Sequence, residues 1–255
     1  MTRNATLRVG AVFVDYDGTV APLGVPRDES RIFREVELEL RAMGRTVPVC
    51  FVTSKDFDFI QPRSRFASGW ACVAGLDVRL ADGRGFPERR LGDLAPALRL
   101  AAAAEERGTL TEVKRGPGGE VLAVAIDWTG ASEAGRYVLR RLKPLLNRGF
   151  WVSHDRGTTF ADVYGAPPDK GKATRLLRRL LRVRGCTLFM GDSPLDNSAF
   201  RAADISVGVT HGQPTKGLEC EFVIEQARLA GFLRSLSGSG MEFSPAIPGV
   251  RRQRS

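Results

Sequence analysis

Residues Val9 to Val14 form a near-continuous apolar run, Ser30 to Met43 repeat apolar side chains at helical spacing, and Val47 to Val52 are apolar again. Strands apolar on both faces must be covered on both faces, as in a parallel sheet between two helix layers. The segment up to residue 55 therefore reads as a βαβ unit, and its right-handed crossover brings both strand C-termini to one edge.

The alternation returns late in the chain. Lys170 to Arg184 reads as an amphipathic helix, Cys186 to Met190 as a buried strand, Pro194 to Ala203 as a helix and Asp204 to Val209 as a strand, with Glu221 to Ile224 and Ala227 to Leu236 adding a strand and a closing helix. The middle is longer-paced and more polar. Trp70 to Leu80 and Val121 to Trp128 look like strands, Leu94 to Arg107 and Ser132 to Asn147 like helices, and Phe150 to Tyr164 like a hairpin around Asp155-Arg156-Gly157. The expectation is an α/β protein: a doubly wound, Rossmann-like parallel sheet core from residues 1–79 and 164–236, with an α+β insertion at 80–163. Residues 237–255 mix Gly, Ser, Pro and Arg without periodicity and are expected to be disordered.

Composition narrows the function classes. A hydrophobic share of 43% with 26% charged residues supports a buried core and excludes general disorder. Lys and Arg number 38 against 29 acids, and a formal charge of +9 favours an anionic ligand. The basic residues gather in Arg175 to Arg184 and Arg251 to Arg254 without interleaved aromatics, which reads as a solvated face and not as a nucleic-acid site. No apolar run approaches the roughly 20 residues that span a bilayer, and MTRNATLR lacks a leader's apolar stretch, so a cytoplasmic protein without membrane association is expected. Cys50, Cys72, Cys186 and Cys220 are scattered with no C-x-x-C pair and read as buried free thiols. His154 and His211 read as surface or loop residues.

The segment Asp15-Tyr16-Asp17-Gly18-Thr19 sets two carboxylates, two residues apart, directly after the first strand. Alternation sends both to one side, and burying them together is costly unless a cation or a shared proton compensates. A turn with Asx hydrogen bonds is the alternative reading of this segment by itself. Three more segments should end on the same edge. Thr53-Ser54-Lys55 offers hydroxyls after the second strand, and Asp169-Lys170-Gly171-Lys172 places lysines at a helix start, against the dipole preference, unless Lys170 reaches an anion. Gly191-Asp192-Ser193-Pro194-Leu195-Asp196-Asn197 is a glycine turn with two acids four residues apart, its Asn197 resembling a simple helix cap.

In type and order these four segments resemble the motifs of the haloacid dehalogenase (HAD) superfamily of phosphohydrolases, and the insertion between the second and third resembles the C2-type cap of its type IIB members. The resemblance implies an Mg²⁺-dependent phosphoric monoester hydrolase. Asp15 would be the nucleophile that forms an aspartyl-phosphate and Asp17 the acid/base. Asp15, Asp17 through its main-chain carbonyl, Asp192 and Asp196 would make the metal site, and Thr53, Ser54 and Lys170 would bind the phosphoryl group. Lys172 is the rival of Lys170, but the family places its lysine directly before the glycine.

Asp15-Tyr-Asp-Gly-Thr-Val-Ala-Pro22 and Asp196-Asn-Ser-Ala-Phe200 are similar to segments of trehalose-phosphate phosphatases, and Ala74-Gly75-Leu76-Asp77 falls where those enzymes have alanine, glycine and histidine. Thr53-Ser54-Lys55 is closer to mannosyl-3-phosphoglycerate and sucrose-phosphate phosphatases, and Ser193 replaces the usual second acid of G-D-D. The expected partner is thus a small phosphorylated substrate, a sugar phosphate in particular. A phosphomutase or phosphotransferase would keep the same four motifs. Lys114, Arg115, His154 and Arg156 are the polar insertion residues that can contact a leaving group.

Overall fold

The computed structural model describes residues 6–146, 150–154, 158–213 and 216–253. Two compact units emerge, one from Met1–Arg84 with Asp169–Ser255 and the other from Gly85–Pro168. Both boundaries lie about five residues C-terminal to those expected from sequence.

The first unit opens with β1 (Leu7–Val14), α1 (Arg34–Met43), β2 (Val49–Val52), the short α2 (Phe57–Ile60), β3 (Gly69–Cys72) and β4 (Asp77–Leu80). The second contains β5 (Gly85–Pro87), α3 (Ala95–Glu105), β6 (Leu110–Arg115), β7 (Val121–Asp127), α4 (Ser132–Leu146), β8 (Trp151–Ser153) and β9 (Phe160–Tyr164). The chain then returns with α5 (Lys170–Leu180), β10 (Cys186–Gly191), α6 (Asn197–Ala202), β11 (Ile205–Thr210), β12 (Phe222–Glu225), α7 (Leu229–Gly238), β13 (Glu242–Phe243) and β14 (Val250–Arg252).

Strands of the first unit lie in the order β14-β12-β11-β10-β1-β2-β3-β4, parallel from β12 through β3. β1 sits centrally, and Val12, Phe13 and Val14 are wholly buried because helices cover the sheet on both sides. This is the expected doubly wound α/β sheet. In the second unit β6-β7-β9-β8 form an antiparallel sheet, and α3 and α4 pack Ala97, Leu100, Val138 and Leu142 against Val124, Ile126, Ala161 and Val163 on one of its faces. None of the described helices is long and apolar enough to cross a membrane.

Four expectations are corrected. The segment Trp70 to Leu80 is not one strand: Val73 and Ala74 take left-handed backbone (φ 49° and 53°), and the chain reverses so that β4 runs antiparallel to β3. The tail from Ser237, expected to be disordered, extends α7 and then pairs β13 with β1 and β14 with β12, with Met241, Phe243, Ile247 and Val250 buried. Four apolar contacts and two short ladders offset the ordering entropy that its composition alone did not. β6 was not anticipated, because Leu110–Arg115 carries little apolar alternation. Cys50, Cys72 and Cys220 are buried and free as expected, whereas Cys186 is half-buried. The turn expected at Asp155-Arg156-Gly157, and the residues Asn147 and Arg254, lie outside the described residues.

Candidate active site

β1 ends at Val14, which is level with Met190 of β10 and Phe51 of β2, so the residues following these strands share one sheet edge. The Asp15 amide donates to the Met190 carbonyl (2.9 Å), extending the ladder one residue and fixing where that carboxylate emerges. Open α/β sheets bind ligands at this carboxyl edge.

α5 starts at the same edge. Asp169 caps it by accepting from the Lys172 amide (2.9 Å), and Lys170 turns inward until it is 4% exposed. Its ammonium donates to Asp15 Oδ1 (2.9 Å) and Asp196 Oδ1 (2.6 Å). The anion that explains a lysine at a helix N-terminus is therefore this carboxylate pair. Lys172, the rival, is exposed and contributes its backbone to the cap. Gly171 follows Lys170 because a Cβ there would lie 2.1 Å from the Ser198 carbonyl, against which the helix packs.

Asp196 is wholly buried, and its other oxygen accepts from the backbone amides of Asp192 and Ser193 (both 3.1 Å). One carboxylate thus ties the lysine to the loop that presents Asp192. On the opposite side Gly18 takes φ 70°, and a Cβ there would fall 2.1 Å from Asp192 Oδ2. Only glycine lets this turn pass the carboxylate. Gln226 holds the same turn, its Nε2 donating to the carbonyls of Gly18 (2.8 Å), Thr19 (3.3 Å) and Ala21 (3.4 Å).

Asp17 lies apart from the buried group, partly exposed and 3.1 Å from Lys55 Nζ. Thr53 is fully buried at the end of β2, and its hydroxyl accepts from the Lys55 amide (3.2 Å); Ser54 beside it is partly exposed. The left-handed Ala74 braces this end, its amide donating to the Thr53 carbonyl (2.8 Å) and its carbonyl accepting from the Asp169 amide (3.0 Å).

Burial dominates the electrostatics. It pushes the Asp15 carboxyl up to about 7 against the pull of Lys170, and pushes Asp192 up to about 8 with help from the neighbouring carboxylates. Burial alone would depress Lys170, but Asp15 and Asp196 outweigh it and hold the ammonium above its ordinary range. One ammonium among three buried acids leaves negative charge uncompensated. Asp15, Asp192 and Asp196 each offer an oxygen within 4.8 Å of the others, an oxygen-donor set that fits a hard divalent cation.

The structure thus brings Asp15, Lys170, Asp192 and Asp196 into one cluster, with Asp17, Thr53 and Ser54 on the flanking loops. Three contributors were not legible in the sequence. Gln226 acts through backbone carbonyls, Lys55 was noted only as part of its motif, and His211, read as a loop residue, brings Nε2 to 3.6 Å from Asp192 Oδ2. Asn197, read as a simple cap, clasps the 217–219 loop by donating to the Gly217 carbonyl (2.8 Å) and accepting from the Glu219 amide (2.9 Å).

Within the second unit, Lys114 is buried and paired with Asp162 (2.7 Å), and Arg115 is exposed and bonded to the Gly119 carbonyl (2.8 Å). His154 lies against Trp128 (5.4 Å between centroids), and Arg156 is outside the described residues.

No family model and no curated protein matches this chain. Solved structures do. The C-terminal domain of C. albicans trehalose-6-phosphate phosphatase superposes with a TM-score of 0.71 at 13% identity, covering 91% of this chain and 93% of its own. A trehalose-6-phosphate phosphatase related protein gives 0.64 at 18% identity, covering 90% and 98%. A sugar phosphatase of HAD subclass IIB gives 0.61 at 16% identity, covering 91% and 100%. The coverage takes in residues of both units, and the chain therefore shares the fold of these solved phosphatases.

Proposed function

We propose that this protein is a magnesium-dependent phosphatase that hydrolyses a phosphorylated sugar through an aspartyl-phosphate on Asp15. The observation that carries the reading is the gathering of Asp15, Asp192 and Asp196 within 4.8 Å, around the buried ammonium of Lys170, at the carboxyl edge of a parallel sheet. A buried acid cluster of this kind is expensive to maintain for structure alone.

In the first step an Asp15 carboxylate oxygen forms a bond to phosphorus while the bond from phosphorus to the sugar oxygen breaks, and Asp17 gives that oxygen its proton. In the second, a water that yields a proton to Asp17 attacks phosphorus, the bond to Asp15 breaks, and inorganic phosphate leaves. Lys55, 3.1 Å from Asp17, keeps that carboxyl in place. Lys170, Thr53 and Ser54 neutralise and orient the phosphoryl oxygens. Bound Mg²⁺, held by the carboxylates of Asp15 and Asp192 and the main-chain carbonyl of Asp17, supplies charge compensation for the phosphoryl group. Asp196, with one oxygen on Lys170 and the other on two backbone amides, keeps Lys170 and Asp192 in register.

The sugar assignment is supported by the Asp15 to Pro22 and Asp196 to Phe200 segments and by the sugar phosphatases among the proteins of like fold. A phosphate-release screen with Mg²⁺ against trehalose 6-phosphate, sucrose 6-phosphate, mannosyl-3-phosphoglycerate, hexose phosphates and nucleoside monophosphates tests it. Release from at least one of these, abolished by EDTA, is the expected result. A preference for nucleotides overturns the substrate class.

A further inference from the structure

The basic stretch Arg175 to Arg184 does not form a single solvated face. α5 ends at Leu180, and within it Arg178 is paired with Asp204 (3.1 Å) while Arg175 and Arg179 are exposed on its surface. Beyond the helix, Arg182 and Arg184 turn elsewhere. They line a pocket of about 410 Å³ at the opposite, N-terminal edge of the sheet, together with Arg8 and Gly10 of β1, Thr46 before β2, and Gly185 before β10. Arg45, exposed, stands one residue from Thr46.

Two features set this pocket apart from the other basic surface. Arg41, Arg175, Arg178, Arg201, Arg234 and Arg252 each have a carboxylate partner, whereas Arg179 on the α5 surface has none among the described residues. Arg8, Arg45, Arg182 and Arg184 have none within 4.0 Å among the described residues, and Glu242, opposite Arg8 in the ladder, lies beyond that distance. Arg8, Arg182 and Arg184 put three like charges around one concavity, and these repel one another until an anion enters. The backbone there is also shaped tightly. Arg182 takes φ 50°, and the Arg184 carbonyl passes so close to Gly10 that a Cβ would lie 1.7 Å from it, so β1 and the loop before β10 are locked together beneath the arginines.

We propose that this pocket is a second anion site, for a small metabolite carrying more than one phosphate or a phosphate with a carboxylate. Guanidinium forks match such groups in a two-pronged way, and the volume falls within the usual range for small-molecule sites. No aromatic side chain lines it, which disfavours single-stranded nucleic acid, whose bases need a stacking surface. Arg8 and Asp15 are seven strand residues apart, about 23 Å, so the ligand here is not the one at the acid cluster.

Calorimetric titration with inorganic tripolyphosphate, in EDTA at fixed ionic strength, tests the site without reading catalysis. The native protein and Asp15→Asn should each bind one equivalent. The Arg8→Gln/Arg184→Gln protein should bind at least tenfold more weakly, and Arg175→Gln/Arg179→Gln, which removes the same charge from the α5 face, should stay within twofold. No saturable binding by the native protein, or equal weakening in both double variants, overturns the proposal. Tighter binding of a 20-nucleotide single strand, lost equally in both variants, overturns it in favour of a diffuse polyanion surface.

Discussion

The ammonium of Lys170 lies 2.9 Å from Oδ1 of Asp15, although 155 positions separate the two residues in the chain. A single cation at the start of α5 is thereby committed to the carboxylate at the end of β1. With its second bond to Asp196, it is the counter-charge that lets this acid cluster stay buried.

Lys170→Met should therefore damage folding as well as function. It leaves Asp15 and Asp196 buried without their cation, and breaking such a pair typically costs about 3–5 kcal/mol. Urea unfolding in EDTA should show a loss of that order at pH 8 and a smaller one at pH 5, where the carboxyls can take up protons instead. A loss independent of pH would show that Lys170 acts mainly by packing.

The raised carboxyls give the metal-free protein a definite pH dependence. Asp15 and Asp192 titrate near 7 and 8 when folded, against 3.8 for the unfolded chain, so the folded state holds protons that the unfolded state has lost. Their contribution is fully present below about pH 4, is lost as pH rises through the folded values, and is constant only above about pH 9. Mg²⁺ competes with those same protons. Its stabilisation, read as the rise in Tm on adding Mg²⁺, should grow from pH 5 to about 9 and then level off. A rise in Tm that is flat from pH 5 to 8 would remove Asp15 and Asp192 from the metal site.

Gln226 donates its side-chain amide NH2 to three carbonyls of the Gly18 turn. Gln226→Ala should lower kcat about tenfold and cost on the order of 1 kcal/mol of stability. Gln226→Glu should be worse on both counts, because it sets an acceptor against acceptors. Equal effects of the two changes would mean that the contact is only steric.

Gly18→Ala should weaken Mg²⁺ activation at least tenfold with little change in fold, since the added methyl falls on Asp192 Oδ2 and the backbone is left-handed there. Activity measured against Mg²⁺ concentration checks this. An unchanged half-activating concentration would place Asp192 away from the metal.

The sheet and the clustered acids were legible because strands buried on both faces leave continuous apolar runs, and the residues just past such a run stand at a sheet edge. Asp15 and Asp192 sit at such strand ends, and Lys170 at the helix start beside them. Gln226 carries no comparable mark, since a side chain that works by donating to carbonyls looks like any polar residue after a strand. His211 is similar: only the parallel register of β10 and β11 brings it beside Asp192. The break between β3 and β4 was hidden because Val73 and Ala74 are not residues that advertise left-handed backbone. The tail was misjudged because its few apolar residues are spaced for two short ladders and not for one periodic element.

Phosphate release from p-nitrophenyl phosphate in the presence of Mg²⁺ tests Asp15 as the nucleophile most directly. The native protein should release phosphate, and Asp15→Asn, which keeps the side chain's shape while removing its charge, should lose at least about 10³-fold of the rate. No release from the native protein, or undiminished release from Asp15→Asn, would contradict that role.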